Sequence, residues 1–142
     1  MTSVPRPKRD PGIGVDASEA QQLHDEFEIG LARAAVEADG NNVKAFQLLG
    51  QALTRVGRHQ EALEADLRVT RLVPRDPLAY YNLACSYSNL ENLDGAFESL
   101  HRAFELGYND YRHLLRDPDL ENLRRDRRFK RLLDKKWGKR QP

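Results

Sequence analysis

The side chains in this chain that could do chemistry are its histidines, its cysteine and its carboxylates, and their spacing argues against catalysis. His24, His59, His101 and His113 are scattered, with no two at the separation that puts both imidazoles on one helix face for a metal. Asp117, Asp119 and Glu121 alternate like the start of a calcium loop, but the glycine and the distant glutamate of such a loop are missing. Pro118 between them fits a helix start capped by Asp117. Cys85 has no basic neighbour in sequence, which reads as a small buried or groove-lining thiol rather than a nucleophile. The chain has neither a glycine-rich phosphate loop nor a serine in a nucleophile elbow. The expectation is a protein that is not an enzyme and needs no metal or cofactor.

The elements that would position these residues are helices. The 142 residues suffice for one core, and 39% hydrophobic with 32% charged residues suits amphipathic helices better than a disordered chain. A single cysteine excludes an internal disulfide framework. No apolar run approaches the roughly 18 residues of a membrane span, and residues 1–14 lack a signal-peptide core. A cytoplasmic location is expected. The net charge of +1 hides an asymmetry: ten Lys/Arg face two Asp/Glu between Arg124 and Arg140, whereas residues 11 to 123 carry nineteen acids and ten bases.

Residues 1–17 hold Pro5, Pro7 and Pro11 without periodicity, and read as a flexible arm. A helix over about 19–38 would place Leu23, Phe27, Leu31, Ala34, Ala35 and Ala38 inward. Helices follow over about 43–56, 59–72, 78–90 and 94–106, punctuated by Gly57, Pro74, Pro77 and Gly107. Tyr111 to Leu115 predicts a short helix, and a last one from about Asp126 carries Phe129, Leu132, Leu133 and Trp137 on one side. No segment alternates as a strand would.

The two central helix pairs align with a period of 34: Phe46 falls on Tyr80, Leu49 on Leu83, Gly50 on Ala84, Leu53 on Tyr87 and Ala62 on Ala96. This order of large and small residues, with Pro74 near the end of the first unit, resembles the tetratricopeptide repeat. Two departures are Tyr108 where the second unit would carry that proline, and Val69 where alanine is usual. The run Asp117 to Arg124 followed by Arg128 to Leu133 is similar to the ends of many small bacterial proteins of that family. The resemblance implies an all-α, short α-solenoid of antiparallel helix pairs, a right-handed superhelix, with repeats at about 43–76 and 77–110. A cap helix over 19–38 and a C-terminal cap over 111–137 would complete one domain spanning 18–142, since two repeats alone leave apolar faces open. Pro118 is expected to break the register of any third repeat.

The family's ligands lie in the groove lined by the first helix of each pair, which the resemblance places at Lys44, Gln47, Gln51 and Thr54, then Leu78, Tyr81, Cys85 and Ser88. A protein or peptide partner held there would make the chain an adaptor or scaffold. A carboxylate clamp would draw on Gln47, Gln51, Asn82, Arg112 and Arg116, and the two glutamines lack the charge it needs. The rival surface is basic: Arg124, Arg127, Arg128, Arg131 and Lys135, with Arg125, Lys130, Lys136, Lys139 and Arg140, could meet nucleic acid or an anionic membrane face. Self-association through an open solenoid end is a further alternative.

Overall fold

A computed structural model of the protein describes Ser3, Gly14 and residues 16–139. Most of the arm expected over 1–17, together with Arg140, lies outside the described residues. The helices are α1 (Ala17–Ala38), α2 (Val43–Arg55), α3 (His59–Leu72), α4 (Pro77–Asn89), α5 (Leu93–Glu105), α6 (Tyr111–Arg116), α7 (Glu121–Arg124) and α8 (Arg127–Trp137), with a 3-10 turn at Pro118–Leu120 before α7. No strand occurs among the described residues. Successive helices pack as pairs, α2 on α3 and α4 on α5, with α1 against α2 and α3 against α4. The architecture is an all-α solenoid.

The helix starts show why the chain repeats. Asn42, Asp76 and Asp110 each cap a helix with a side-chain oxygen, and they stand 34 residues apart. Asn92 and Asp126 cap α5 and α8 at the same interval. Such a cap supplies an acceptor to the orphan N–H groups of the first turn, so each polar residue sets where a helix begins. The expectation that Pro118 breaks the third register is therefore corrected. Asp110 and Asp126 hold it, and the proline only splits what would be one helix into α6, the 3-10 turn and α7.

The ends of α2 and α4 match as well. At Gly57 the chain adopts φ 80° and at Glu91 φ 59°. In both places the following residue donates back into the helix, Arg58 N–H to the Leu53 carbonyl and Asn92 N–H to the Tyr87 carbonyl. This left-handed stop is free of steric cost for glycine and carries one for glutamate.

Two clusters form the core. One joins Ile29, Ala32, Leu49, Ala52, Leu53, Ala62 and Ala65, and the other runs from Tyr81 through Phe97, Leu100 and Phe104 to Leu114, Leu120, Leu123, Phe129 and Leu133. Trp137 closes the second, edge-on to Phe104 at 5.1 Å and to Tyr111 at 5.0 Å between ring centres. The stripe expected to face inward on α1 is corrected. Ile29, Ala32 and Asp25 are buried, whereas Leu23, Phe27 and Leu31 remain 64%, 68% and 62% exposed. The burial of Asp25 is made tolerable by Arg55, whose Nε donates to its carboxylate at 3.1 Å.

Candidate functional site

Pro118 is the local cause of the site. A residue before proline is driven out of the helical region, and Asp117 sits at φ −65°, ψ 116°, its carboxylate accepting the Asp119 N–H at 2.9 Å. The chain then folds back on α4. Asn122 donates to the Ser88 carbonyl at 2.9 Å, and Arg124 donates to the Leu114 and Asp117 carbonyls. This brings the buried Asp117 carboxylate against α4, where it accepts from the Tyr81 hydroxyl and lies 3.8 Å from the Cys85 sulfur. His113 Nε2 stands 3.2 Å from the same oxygen.

Around these groups lies a depression of about 550 Å³, lined by Gly50, Gln51, Thr54, Arg55, Asp66, Tyr81, Asn82, Cys85, His113, Asp117 and Asp119. Asp66 reaches it from α3, held by the Ser86 hydroxyl, which donates at 2.6 Å. Burial pushes its carboxyl up to about 6, only partly opposed by that hydrogen bond. Gly50 exists to make room for it: a Cβ there would stand 2.6 Å from Asp66 Oδ1. Burial likewise raises the Cys85 thiol well above its ordinary value, helped by the charges of Asp117, Asp119 and Asp66. The Tyr81 hydroxyl is pushed up by the same desolvation. Tyr108, stacked on Tyr81 at 4.4 Å, is raised to about 12, mainly by burial.

Cys85, Asp117 and Asp119 offer ligand atoms within 4.8 Å of one another. These atoms are engaged by the protein itself, Asp117 by Tyr81, Cys85 and the Asp119 backbone, Asp119 by the Asn89 amide at 3.2 Å. The arrangement is a hydrogen-bonded acidic floor.

Of the eight groove residues expected from sequence, Gln51, Thr54, Tyr81 and Cys85 meet at this depression. Lys44 lies in a neighbouring one of about 440 Å³ between α1 and α2, and Leu78 in another beside Tyr108. Gln47 is half-buried, and Ser88 is fully buried, so no partner reaches its side chain. Asp66, His113, Asp117 and Asp119 escaped the sequence reading as groove residues. A signal existed for Asp66, an acid on the apolar stripe of α3, at the place where α5 has Leu100. Of the expected basic surface, Arg128 is bound to Asp94 and Asp126 and lies over the Phe97 ring at 4.6 Å. Arg124 is likewise spent on backbone carbonyls, while Arg127, Arg131 and Lys135 are exposed.

Residues 78–107, the α4–α5 pair carrying Tyr81 and Cys85, match the family model of the tetratricopeptide repeat. That pair is a tetratricopeptide repeat. The chain is 36% identical over 87 residues to a protein of Arabidopsis thaliana described as chloroplastic, a match covering 59% of this chain and 26% of that protein. The chain thus spans about a quarter of the length of the relative it matches. The tetratricopeptide repeat points in general to interaction with other proteins. No helix among the described residues is long and apolar enough to cross a membrane.

Proposed function

We propose that the protein is a non-enzymatic adaptor whose depression receives a cationic side chain, with its flanking backbone, from a partner protein. One observation carries this reading. Asp66, Asp117 and Asp119 line the cavity, and Arg55, which also lines it, is already committed to Asp25 and Glu28. A lysine or arginine entering there gains charge-assisted hydrogen bonds in a partly desolvated site. Gln51 and Asn82 then offer amides to the incoming backbone. The packed helices hold these groups in place beforehand, so the partner alone is ordered on binding. A carboxylate clamp is disfavoured on the same ground, since Arg112 and Arg116 do not line the cavity. The compartment belongs to the proposal as well: cytoplasmic, although the Arabidopsis relative is described as chloroplastic, and fractionation of the native source decides it.

The test is fluorescence anisotropy with labelled lysine-rich, neutral and aspartate-rich peptides of equal length. The lysine-rich peptide should bind best, and Thr54→Lys with Asn82→Lys should weaken it roughly tenfold or more. Indifference to those substitutions would sink the reading. The exposed row Arg127, Arg131 and Lys135 keeps a second reading in view, contact with nucleic acid through α8. Its signature is oligonucleotide binding that falls steeply with salt and disappears when those three residues become glutamate.

A further inference from the structure

Helix α1 is apolar on two opposite sides. Its inner side packs Ile29, Ala32 and Val36 against α2. On the far side Leu23, Phe27 and Leu31 recur every four residues, with Ala20, Ala34 and Ala38 exposed beside them. A surface helix ordinarily turns charged residues to water there. The register of the chain accounts for the difference. Helix α1 ends at Ala38 and α3 at Leu72, 34 residues later, so α1 corresponds to the second helix of a pair. In α3 the matching side is covered by α2 at Ala65 but not at Glu61, the counterpart of Phe27, where the Glu61 side chain is 40% exposed. Ala65 is 4% exposed, and its counterpart one period earlier, Leu31, is 62% exposed. Leu48, half exposed on α2, extends this surface through the 440 Å³ depression that also holds Leu31 and Ala35. The surface lies where, one period later, α2 packs on α3.

Charge decides what covers it. Glu19, Glu26 and Glu37 are exposed along one border of the apolar side, and α1 as a whole carries five acids against one base. That base, Arg33, is bound to Glu61, and the α2 side has two cations, Lys44 and Arg55, the latter bound to Asp25 and Glu28. Two copies of α1 packed antiparallel would set one glutamate border along the other, a like-charge arrangement. A helix with basic borders would be attracted instead. We propose that the outer side of α1 seats an amphipathic helix of a partner protein, with apolar residues every three to four positions and lysine or arginine beside them. Its 440 Å³ depression shares Gln51 and Arg55 with the depression around Tyr81, whereas Leu23, Phe27 and Leu31 do not line the latter.

The experiment uses the full chain and a labelled synthetic helix of about five turns, with leucines at alternating three- and four-residue steps and lysines on both borders. A second peptide replaces every lysine by glutamate. Phe27→Asp and Leu31→Asp alter exposed positions, and far-UV circular dichroism should confirm unchanged helicity. The lysine peptide should bind, and either substitution should weaken it roughly tenfold. The added negative charge would strengthen a contact made by electrostatics alone, so weakening reads the apolar seat. Asn82→Lys should leave this binding unchanged, which separates its failure from that of the depression. Four results would overturn the proposal: equal binding of the glutamate peptide; no loss on Phe27→Asp; a native dimer that Phe27→Asp converts to monomer; or tight binding that appears only after removal of residues 1–15. The last two would assign the surface to a second copy and to the chain's own N-terminal segment.

Discussion

The two ends of the solenoid are built to different standards of closure. At the C-terminal end, Phe97, Phe104, Tyr108 and Phe129 fill a core over which α6, α7 and α8 fold back. At the N-terminal end the core is mostly alanine, and its outermost helix presents Leu23, Phe27 and Leu31 to water. The same 34-residue frame produces both. At one end α6, the 3-10 turn, α7 and α8 cover the core, and among the described residues α1 stands outermost at the other. Stability should therefore concentrate at the sealed end, and exposed apolar surface at the α1 end.

The largest expected effect tests that contrast directly. Leu100 is fully buried, and Leu100→Ala should cost about 2–5 kcal/mol through lost burial and the cavity left behind. Phe27→Ala removes a larger side chain from an exposed site and should change stability by no more than about 0.5 kcal/mol. Urea denaturation of both variants checks this, and similar costs at the two sites would erase the distinction between the ends.

A middle-sized effect concerns the acid standing between the two cores. The carboxyl of Asp66 is raised to about 6 in the folded protein, so between its ordinary range and that value the native state binds more protons than the unfolded one. Stability then falls as pH rises through this window, and the cost, about 3 kcal/mol, is fully present above it. Asp66→Asn keeps an acceptor for Ser86 and should flatten the fall between about pH 4 and pH 6.5. An unchanged pH profile would show that Asp66 does not set it.

The smallest effect compares the two left-handed helix stops. Glu91 bears at φ 59° the strain that Gly57 avoids at φ 80°. Glu91→Gly should stabilise by about 0.5–1 kcal/mol, read as a small rise in the denaturation midpoint, and a loss would show that the Glu91 side chain contributes more than its backbone costs.

Much of the fold was legible because its determinants are local. Prolines such as Pro77, stops such as Gly57, and the spacing of Ala62 and Ala96 mark helix boundaries and pairings within a few residues of themselves. The inward side of α1 was not legible, because Leu23–Phe27–Leu31 outscores Ile29–Ala32–Val36 in hydrophobicity, and the choice between them depends on which side α2 occupies. The depression was read in part. Gln51, Thr54, Tyr81 and Cys85 share the repeating frame, whereas Asp117 arrives through a proline-induced turn from 36 positions beyond Tyr81. Periodicity carries no information about that contact. Asp66 looked like an interruption of a stripe, and became meaningful only beside Gly50.

Trp137 is the chain's one tryptophan, and it lies edge-on to Phe104 and Tyr111 at the sealed end. Its emission therefore watches α8 separate from α5 and α6 and is blind to α1. A fluorescence melt would follow the sealed end alone, while backbone amide exchange along α1 would follow the open one. Divergence between those two signals would reveal whether the solenoid comes apart as one unit or from its α1 end.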